Sequence, residues 1–417
     1  MKTAIILLSA LLFGTILNGC GSTEGPPASQ GALQDQAVAT AHTARLPAGD
    51  PETQAIVLTQ TVYPATREEN AVGAIILTRQ DLPEAFTAMH RVTHMPVNAP
   101  LLYVGQDGRL STATLQEMRR LRPDGVVQDG RVQVYIVGRV DPAVAETVRN
   151  ELGYKVRRLS AEDPVKLAEL LDRWQAALKS DHPDEVVISA LDHPEGIAHG
   201  IGAMGWNAHM GKGFAWVYRD SVPAETRRLL KRRFGPAYLY LTGGPEVISD
   251  KVARELAQYG LVRRIHGPDS YASNTVNAGY KDFGRNFGWW WGWSSRDFGW
   301  GISQAGHNFI IGSRADLLGL IPAVVLGHMG KHGPLLLVSQ NEVPQPVVDY
   351  LEMVRPFPSG PTETILNHAW IIGDESRVSW DVQRQIDTLL RPSPRNPSEA
   401  AGLQRPTTAS VINGPRG

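Results

Sequence analysis

The chain has 417 residues, 42% of them hydrophobic, enough to bury several cores, and its length suggests two to four domains. With 41 basic against 42 acidic side chains the net charge is −1, and no basic tail is present, which excludes a general electrostatic pull toward nucleic acid. A single cysteine, Cys20, excludes a disulfide framework, a Cys-x-x-Cys metal site and a haem attachment motif.

Met1-Lys2 is a short positive start. The apolar run from Ala4 to Ile16 is too short to span a membrane stably, and Leu17-Asn-Gly-Cys20 sets small residues before the cysteine. This arrangement resembles a bacterial lipoprotein signal peptide. The resemblance implies removal of residues 1–19, diacylation of the Cys20 thiol, and a cell-envelope protein anchored in the membrane by lipid. Gly21, rather than Asp, after the cysteine points to the outer membrane if the cell is Gram-negative. Residues 20–54, rich in Gly, Ser, Thr, Pro, Ala and Gln, read as a disordered tether. Ala55-Ile-Val-Leu-Thr59 reads as a strand leading into the first folded module.

From there the chain writes one pattern three times. The first writing is the apolar strand Gly73-Ala-Ile-Ile-Leu-Thr78, an acidic helix start at Asp81-Leu-Pro-Glu-Ala85, and the strand Ala99-Pro-Leu-Leu-Tyr-Val104. A helix around Leu115, Met118 and Leu121 follows, then the strand Gln133-Val-Tyr-Ile-Val-Gly138 and a closing helix with Val144, Val148 and Leu152. The second writing uses Glu185–Ala190, Asp192-His-Pro-Glu195, Gly213–Tyr218 and Tyr238–Gly244, closed by Val252 and Leu256. The third uses His307–Gly312, Gly333–Val338 and His368–Gly373, closed by Val378, Val382 and Ile386. Each closing helix opens with a β-branched residue and a capping side chain: Val140-Asp141, Ile248-Ser249, Val378-Ser379. Such a cap contributes about 1 kcal/mol. A period of roughly a hundred residues is too long for a solenoid and right for a small domain.

In this order of strands, acidic helix start and capped helix the chain resembles the cell wall-binding repeat 2 family. The resemblance implies an α/β fold of three Rossmann-like parallel-sheet modules related by a pseudo-threefold axis. It also implies a non-enzymatic role, binding anionic cell-wall or surface polysaccharide. The modules are expected over residues 55–178, 179–282 and 301–391, with a Trp/Gly-rich insertion over 283–300 and a disordered tail over 392–417. The family's Gly-x-Asp-Arg-Tyr element is approached only by Gly267-Pro-Asp-Ser-Tyr271, and Asp163-Pro164 marks the same place in the first copy.

The insertion holds five of the ten tryptophans, Trp289, Trp290, Trp291, Trp293 and Trp300, spaced by glycines. Such rings suit stacking on sugar or insertion at a membrane interface, and equally the covering of a sheet edge or module seam. Arg227, Arg228, Lys231, Arg232 and Arg233 place five positive charges within seven residues, a candidate polymer-binding patch or a solvated helix face. The carboxylates Asp81/Glu84, Asp192/Glu195 and Asp316 follow the first strand of each copy, where open α/β sheets bind ligands and where helix N-termini favour acids. Gly200 to Gly205 has the letters of a dinucleotide loop but sits inside a helix, where packing accounts for it.

No nucleophile elbow, phosphate loop or zinc-protease motif is present, so no catalytic residue is assigned, and the chain reads as no enzyme. No cofactor is expected, with one open question. His94-Met95, His209-Met210 and His328-Met329 recur before the second strand of each copy, with His90 and His332 near. Three imidazoles meeting on an axis would coordinate zinc or copper; the other reading is three histidines hydrogen-bonded at a narrow junction. The alternatives to a polymer binder are therefore a structural or metal-handling envelope scaffold and, last, a polysaccharide or peptidoglycan hydrolase.

Overall fold

The computed structural model describes residues 39–64, 72–90, 94, 96–179, 182–233, 235–288, 292–327, 333–358, 363, 365–393 and 411–412. In chain order, β1 (Thr43–Leu46) and α1 (Pro51–Val62) precede the first unit. That unit comprises β2 (Ile75–Arg79), α2 (Leu82–Met89), β3 (Leu101–Val104), α3 (Thr112–Leu121), β4 (Val134–Val137), α4 (Pro142–Leu152), β5 (Val156–Leu159) and α5 (Pro164–Lys179). The second comprises β6 (Glu185–Ala190), α6 (Gly196–Met210), β7 (Gly213–Val217), α7 (Ala224–Lys231), β8 (Ala237–Thr242), α8 (Asp250–Leu256), β9 (Gly260–Ile265) and α9 (Ser270–Gly279). A hairpin, β10 (Asp282–Gly288) and β11 (Gly292–Phe298), separates it from the third. The third comprises β12 (Asn308–Ser313), α10 (Leu317–Leu320) running into 3-10 turns at Ile321–Gly327, β13 (Leu335–Val338), α11 (Gln345–Met353), β14 (His368–Ile372) and α12 (Trp380–Leu390).

The three sheets share one strand order: β3-β2-β4-β5, β7-β6-β8-β9 and β13-β12-β14-β1. All these pairings are parallel, and each of the first strands is buried almost throughout, as unbroken apolar runs require when helices cover both faces. Asp141, Ser249 and Ser379 cap the closing helices as expected, each accepting a backbone N–H from the first turn.

The third sheet takes its fourth strand from the other end of the chain. β1 pairs with β14 in register Thr43↔Ala369 to Leu46↔Ile372, the place that β5 and β9 hold in their own sheets. The helix after each fourth strand then packs on the second strand of the next module: α5 on β7, α9 on β13 and α1 on β3. The first helices, α2, α6 and the Ile321–Gly327 turns, touch one another at the centre, and one apolar core runs through all three modules. This cyclic order is the pseudo-threefold arrangement.

Three expectations change. Ala55–Thr59 is the middle of α1, because Asp50 caps the helix, Pro51 opens it, and the apolar period Ala55, Leu58, Val62 is helical. Residues 43–46 and 51–54, read as tether, are folded. In the C-terminal stretch, Val411–Ile412 forms β15 and lies antiparallel against β9.

Candidate functional site

The carboxyl ends of β2, β6 and β12 each gather carboxylates and arginines. In the first module Asp81 caps α2 by accepting the Glu84 N–H at 3.1 Å. The Glu84 side chain is 1% exposed and accepts hydrogen bonds from Arg79 Nε at 3.0 Å, the Arg139 backbone N–H at 3.0 Å and Arg139 Nε. Arg79 also donates to Asp81 at 2.7 Å. The carboxylate fits because residue 138 is glycine: its φ is +91°, and a Cβ there would lie 2.4 Å from Glu84 Oε2.

The second end is shared between modules. Glu195 pairs with Arg314 of the third module, Nε to Oε2 at 3.0 Å and Nη2 to Oε1, and Arg314 Nε lies 3.1 Å from Ser270 Oγ. Arg314 holds the Glu195 carboxyl below its usual range, against the burial that pushes the other way. Asp192 accepts the Arg219 N–H at 2.7 Å. Beneath them the His199 ring is buried, its Nδ1 2.7 Å from Ser273 Oγ, and burial lowers its pKa although Glu246, Glu195 and Asp269 favour the charged form.

At the third end Asp316 caps α10 through the Gly319 N–H at 3.2 Å and lies 3.5 Å from Arg377. Burial pushes the Asp316 carboxyl up; Arg377 opposes this and Asp374 and Asp50 add to it. The four arginines keep part of their surface in water: the side chains of Arg79, Arg139, Arg314 and Arg377 are 37, 45, 38 and 33% exposed.

An aspartate caps the fourth helix beside each end: Asp163 for α5, Asp269 for α9 and Asp50 for α1. Asp50 is the third copy of the repeat element. A signal for it stood in the sequence, since Arg45, Arg158 and Arg264 each precede their aspartate by five residues. The four arginines were missed because they stand singly at or just after strand ends, Arg79 as the last residue of β2 and Arg314 directly after β12, and carry no periodic pattern.

The basic run is a clamp between modules. Arg228 and Arg232 reach Glu169 of α5 at 2.9 Å each, and Arg228 also Glu225. Arg233, its side chain fully buried, donates to both Asp172 oxygens at 2.6 and 3.1 Å, and Arg227 pairs with Glu255 at 2.7 Å. Lys231 is exposed on α7. Four of the five charges thus meet carboxylates of the fold, Arg233 in full burial, while the side chains of Arg227 and Arg228 stay 43 and 54% exposed.

The glycines of Gly200–Gly205 lie within α6. A Cβ at Gly202 would come 2.4 Å from Asn274 Oδ1, where the Asn274 amide is set between the Ala198 carbonyl and the Gly202 N–H, both at 2.8 Å. His94 Nδ1 lies 3.1 Å from the Lys179 ammonium, a neighbour that opposes a metal cation, and His209 stacks on Trp300 with centroids 5.3 Å apart. His328, Met95 and Met329 lie outside the described residues, as do Cys20 and Trp289, Trp290 and Trp291. Trp293 is placed only as a position in β11. Among the described residues no group of three or more His, Cys, Asp or Glu would hold a metal ion, and no helix is long and apolar enough to cross a membrane.

No family model and no curated protein matches the chain. Solved structures do. Cwp6 from Clostridium difficile matches with a TM-score of 0.67 at 15% identity, over 85% of this chain and 49% of that one. Cwp8 from Clostridium difficile matches with a TM-score of 0.61 at 17% identity, over 84% of this chain and 52% of that one. The chain spans about half the length of these structures, and the likeness is one of fold.

Proposed function

We propose that the chain is a non-enzymatic cell-envelope protein that holds anionic surface polymer at the carboxyl ends of its three sheets. The observation carrying this reading is the partly exposed, carboxylate-fixed arginine at every end: Arg79 and Arg139 on Glu84, Arg314 on Glu195, Arg377 on Asp316. A guanidinium fixed on carboxylate by some of its N–H groups offers the remaining ones to an oxyanion in a set orientation, so less freedom is lost on binding. Several weak contacts along one polymer then act together. The resemblance to cell wall-binding repeats and the fold shared with Cwp6 support the same reading. His199 and Ser273, a serine–histidine pair, are 5% and 1% exposed, which suits packing rather than attack on a substrate.

Co-sedimentation with purified envelope fractions across a salt series tests the proposal. Replacing Arg79, Arg139, Arg314 and Arg377 together by Ala should cut retention at least about tenfold and flatten its salt dependence. Lys231→Ala should change nothing. Wild-type retention in the fourfold variant, shown folded by circular dichroism, would remove the site from these ends.

A further inference from the structure

The three sheets treat the outer side of their fourth strands in three ways. In the first, β5 is the outer strand, and Arg157 and Arg158 are both exposed, a charge that keeps an edge from pairing with a neighbour. In the third, the chain ahead of β1 turns back on that strand, with an antiparallel bridge Ala39↔Ala44 and the Thr40 N–H on the Thr43 carbonyl at 2.9 Å. In the second, β9 carries Leu261, 40% exposed, a half-buried Arg263, and no carboxylate. Its edge is closed instead by β15, in register Val411↔Arg263 and Ile412↔Val262.

β15 differs from the other two devices in how it is held. Its two residues make a short ladder, and residues 394–410 join it to the rest of the chain, a connection that spans up to about 60 Å when extended. A strand on such a connection can leave and return without disturbing a module, whereas the arginines of β5 and the turn ahead of β1 are parts of the modules they protect. Beneath β15 lies a row of N–H and C=O groups that takes an antiparallel partner. Two copies of one edge strand related by a twofold axis are antiparallel as well. Centred on Val262, such a pair sets Val262 against Val262 and Leu261 against Arg263. Centred on Arg263, it would set like charges directly opposite each other, which is unfavourable.

We propose that the outer edge of β9 is an interface for a second copy of this chain, kept closed by the strand Val411–Ile412. With that strand in place the chain is a monomer; without it two copies join β9 to β9 about Val262. The proposal stands apart from the polymer reading. Sedimentation velocity over a dilution series tests it on the full chain, on a chain ending at Ser393 and on the full chain with Ile412→Pro. Each carries Cys20→Ser, so that neither an acyl anchor nor a disulfide joins copies. The full chain is expected to stay monomeric, and the two opened chains to move to dimer as concentration rises. A peptide of residues 405–417, added in excess, should return the shortened chain to monomer. In the shortened chain Leu261→Lys should weaken the dimer several-fold, because it faces the partner's Arg263, and Leu261→Glu should strengthen it several-fold. Ile412→Pro covers the event that the shortened chain misfolds. Opened chains that remain monomeric throughout overturn the proposal. So does a full chain that dimerises as readily as the shortened one, which would leave the strand no covering role. A dimer indifferent to both Leu261 changes overturns it too, since it would lie on another surface.

Discussion

The first two modules and the third reach the same sheet by different routes. β5 and β9 follow their own closing helices, whereas the third sheet borrows β1 from the start of the chain. Yet the borrowed strand repeats a buried arginine contact of β9. Arg45 pairs in register with Ile371 as Arg264 does with Leu241, and each Nη1 donates to two loop carbonyls: Gly373 and Val378 for Arg45, Gly243 and Ile248 for Arg264. The difference between routes is thus one of connectivity.

The largest expected effect breaks that connectivity. A chain lacking residues 39–64 loses the fourth strand of the third sheet and the helix that covers β3. It should fail to unfold cooperatively and should expose apolar surface to a dye. Moving the same residues to follow residue 393 through a short flexible linker should restore the wild-type urea midpoint. The ends are close enough, since Thr40 and the His42 N–H both bond to Asp387, at 2.6 and 2.8 Å. A permuted chain as defective as the truncated one would mean that the N-terminal segment must fold ahead of the modules.

A smaller effect separates the first module from the other two. Six residues lead from Gly243 to the cap Ser249 and from Gly373 to Ser379, but only three from Gly138 to Asp141. The shorter loop does not wrap the guanidinium, so Arg158 is exposed and donates only to Val140 O, at 2.8 Å. Burial accordingly lowers the pKa of Arg45 and of Arg264. Arg45→Met and Arg264→Met should each cost about 2–4 kcal/mol in urea unfolding, since two buried carbonyls lose their donor at roughly 1–3 kcal/mol each. Arg158→Met should cost less than about 1 kcal/mol. Equal losses at all three would show that the arginines act through strand pairing instead.

The same contrast explains what could be read from the chain alone. The first and third strands of each copy and the capped closing helices are local, contiguous patterns, and they stood in the sequence. The third Arg-to-Asp element stood there too, at Arg45 and Asp50, but some three hundred residues from the strands it completes, beyond any search for a contiguous repeat. Ile56-Val57 imitated a strand because two neighbouring apolar residues satisfy either period until the cap is considered. At the candidate site the acids were legible as helix starters, while the arginines that meet them depend on the tertiary fold: Arg139 reaches Glu84 from the next strand end of its own module, and Arg314 comes to Glu195 across a boundary. The run at Arg227 to Arg233 gave no sign of its ion pairs because the partners, Glu169 and Asp172, lie on α5, roughly sixty residues earlier.

The smallest effect is one of sign, and it distinguishes the two boundaries of the third module. Toward the second module lies His199, whose folded pKa is depressed by burial from the ordinary value near 6.5. As pH falls below that value the unfolded chain takes up a proton that the folded chain refuses. Stability therefore drops on the acid side of about 6.5 until the folded pKa is passed, by at most about 1.4 kcal/mol per pH unit for one proton. Toward the first module lies Asp316, whose folded pKa is raised by burial. There the folded chain holds the extra proton, so its contribution is full below the ordinary aspartate value near 3.9 and is lost as pH rises through the raised one. Urea midpoints measured from pH 4 to 8 should then respond in opposite directions to two near-isosteric changes. His199→Gln should flatten the acid-side fall below pH 6.5, because the amide still meets Ser273 and takes up no proton in either state. Asp316→Asn keeps a capping oxygen for Gly319 and should be neutral to stabilising at pH 7, with its advantage fading toward pH 4. Parallel shifts in both variants would mean that neither boundary titrates as its burial requires.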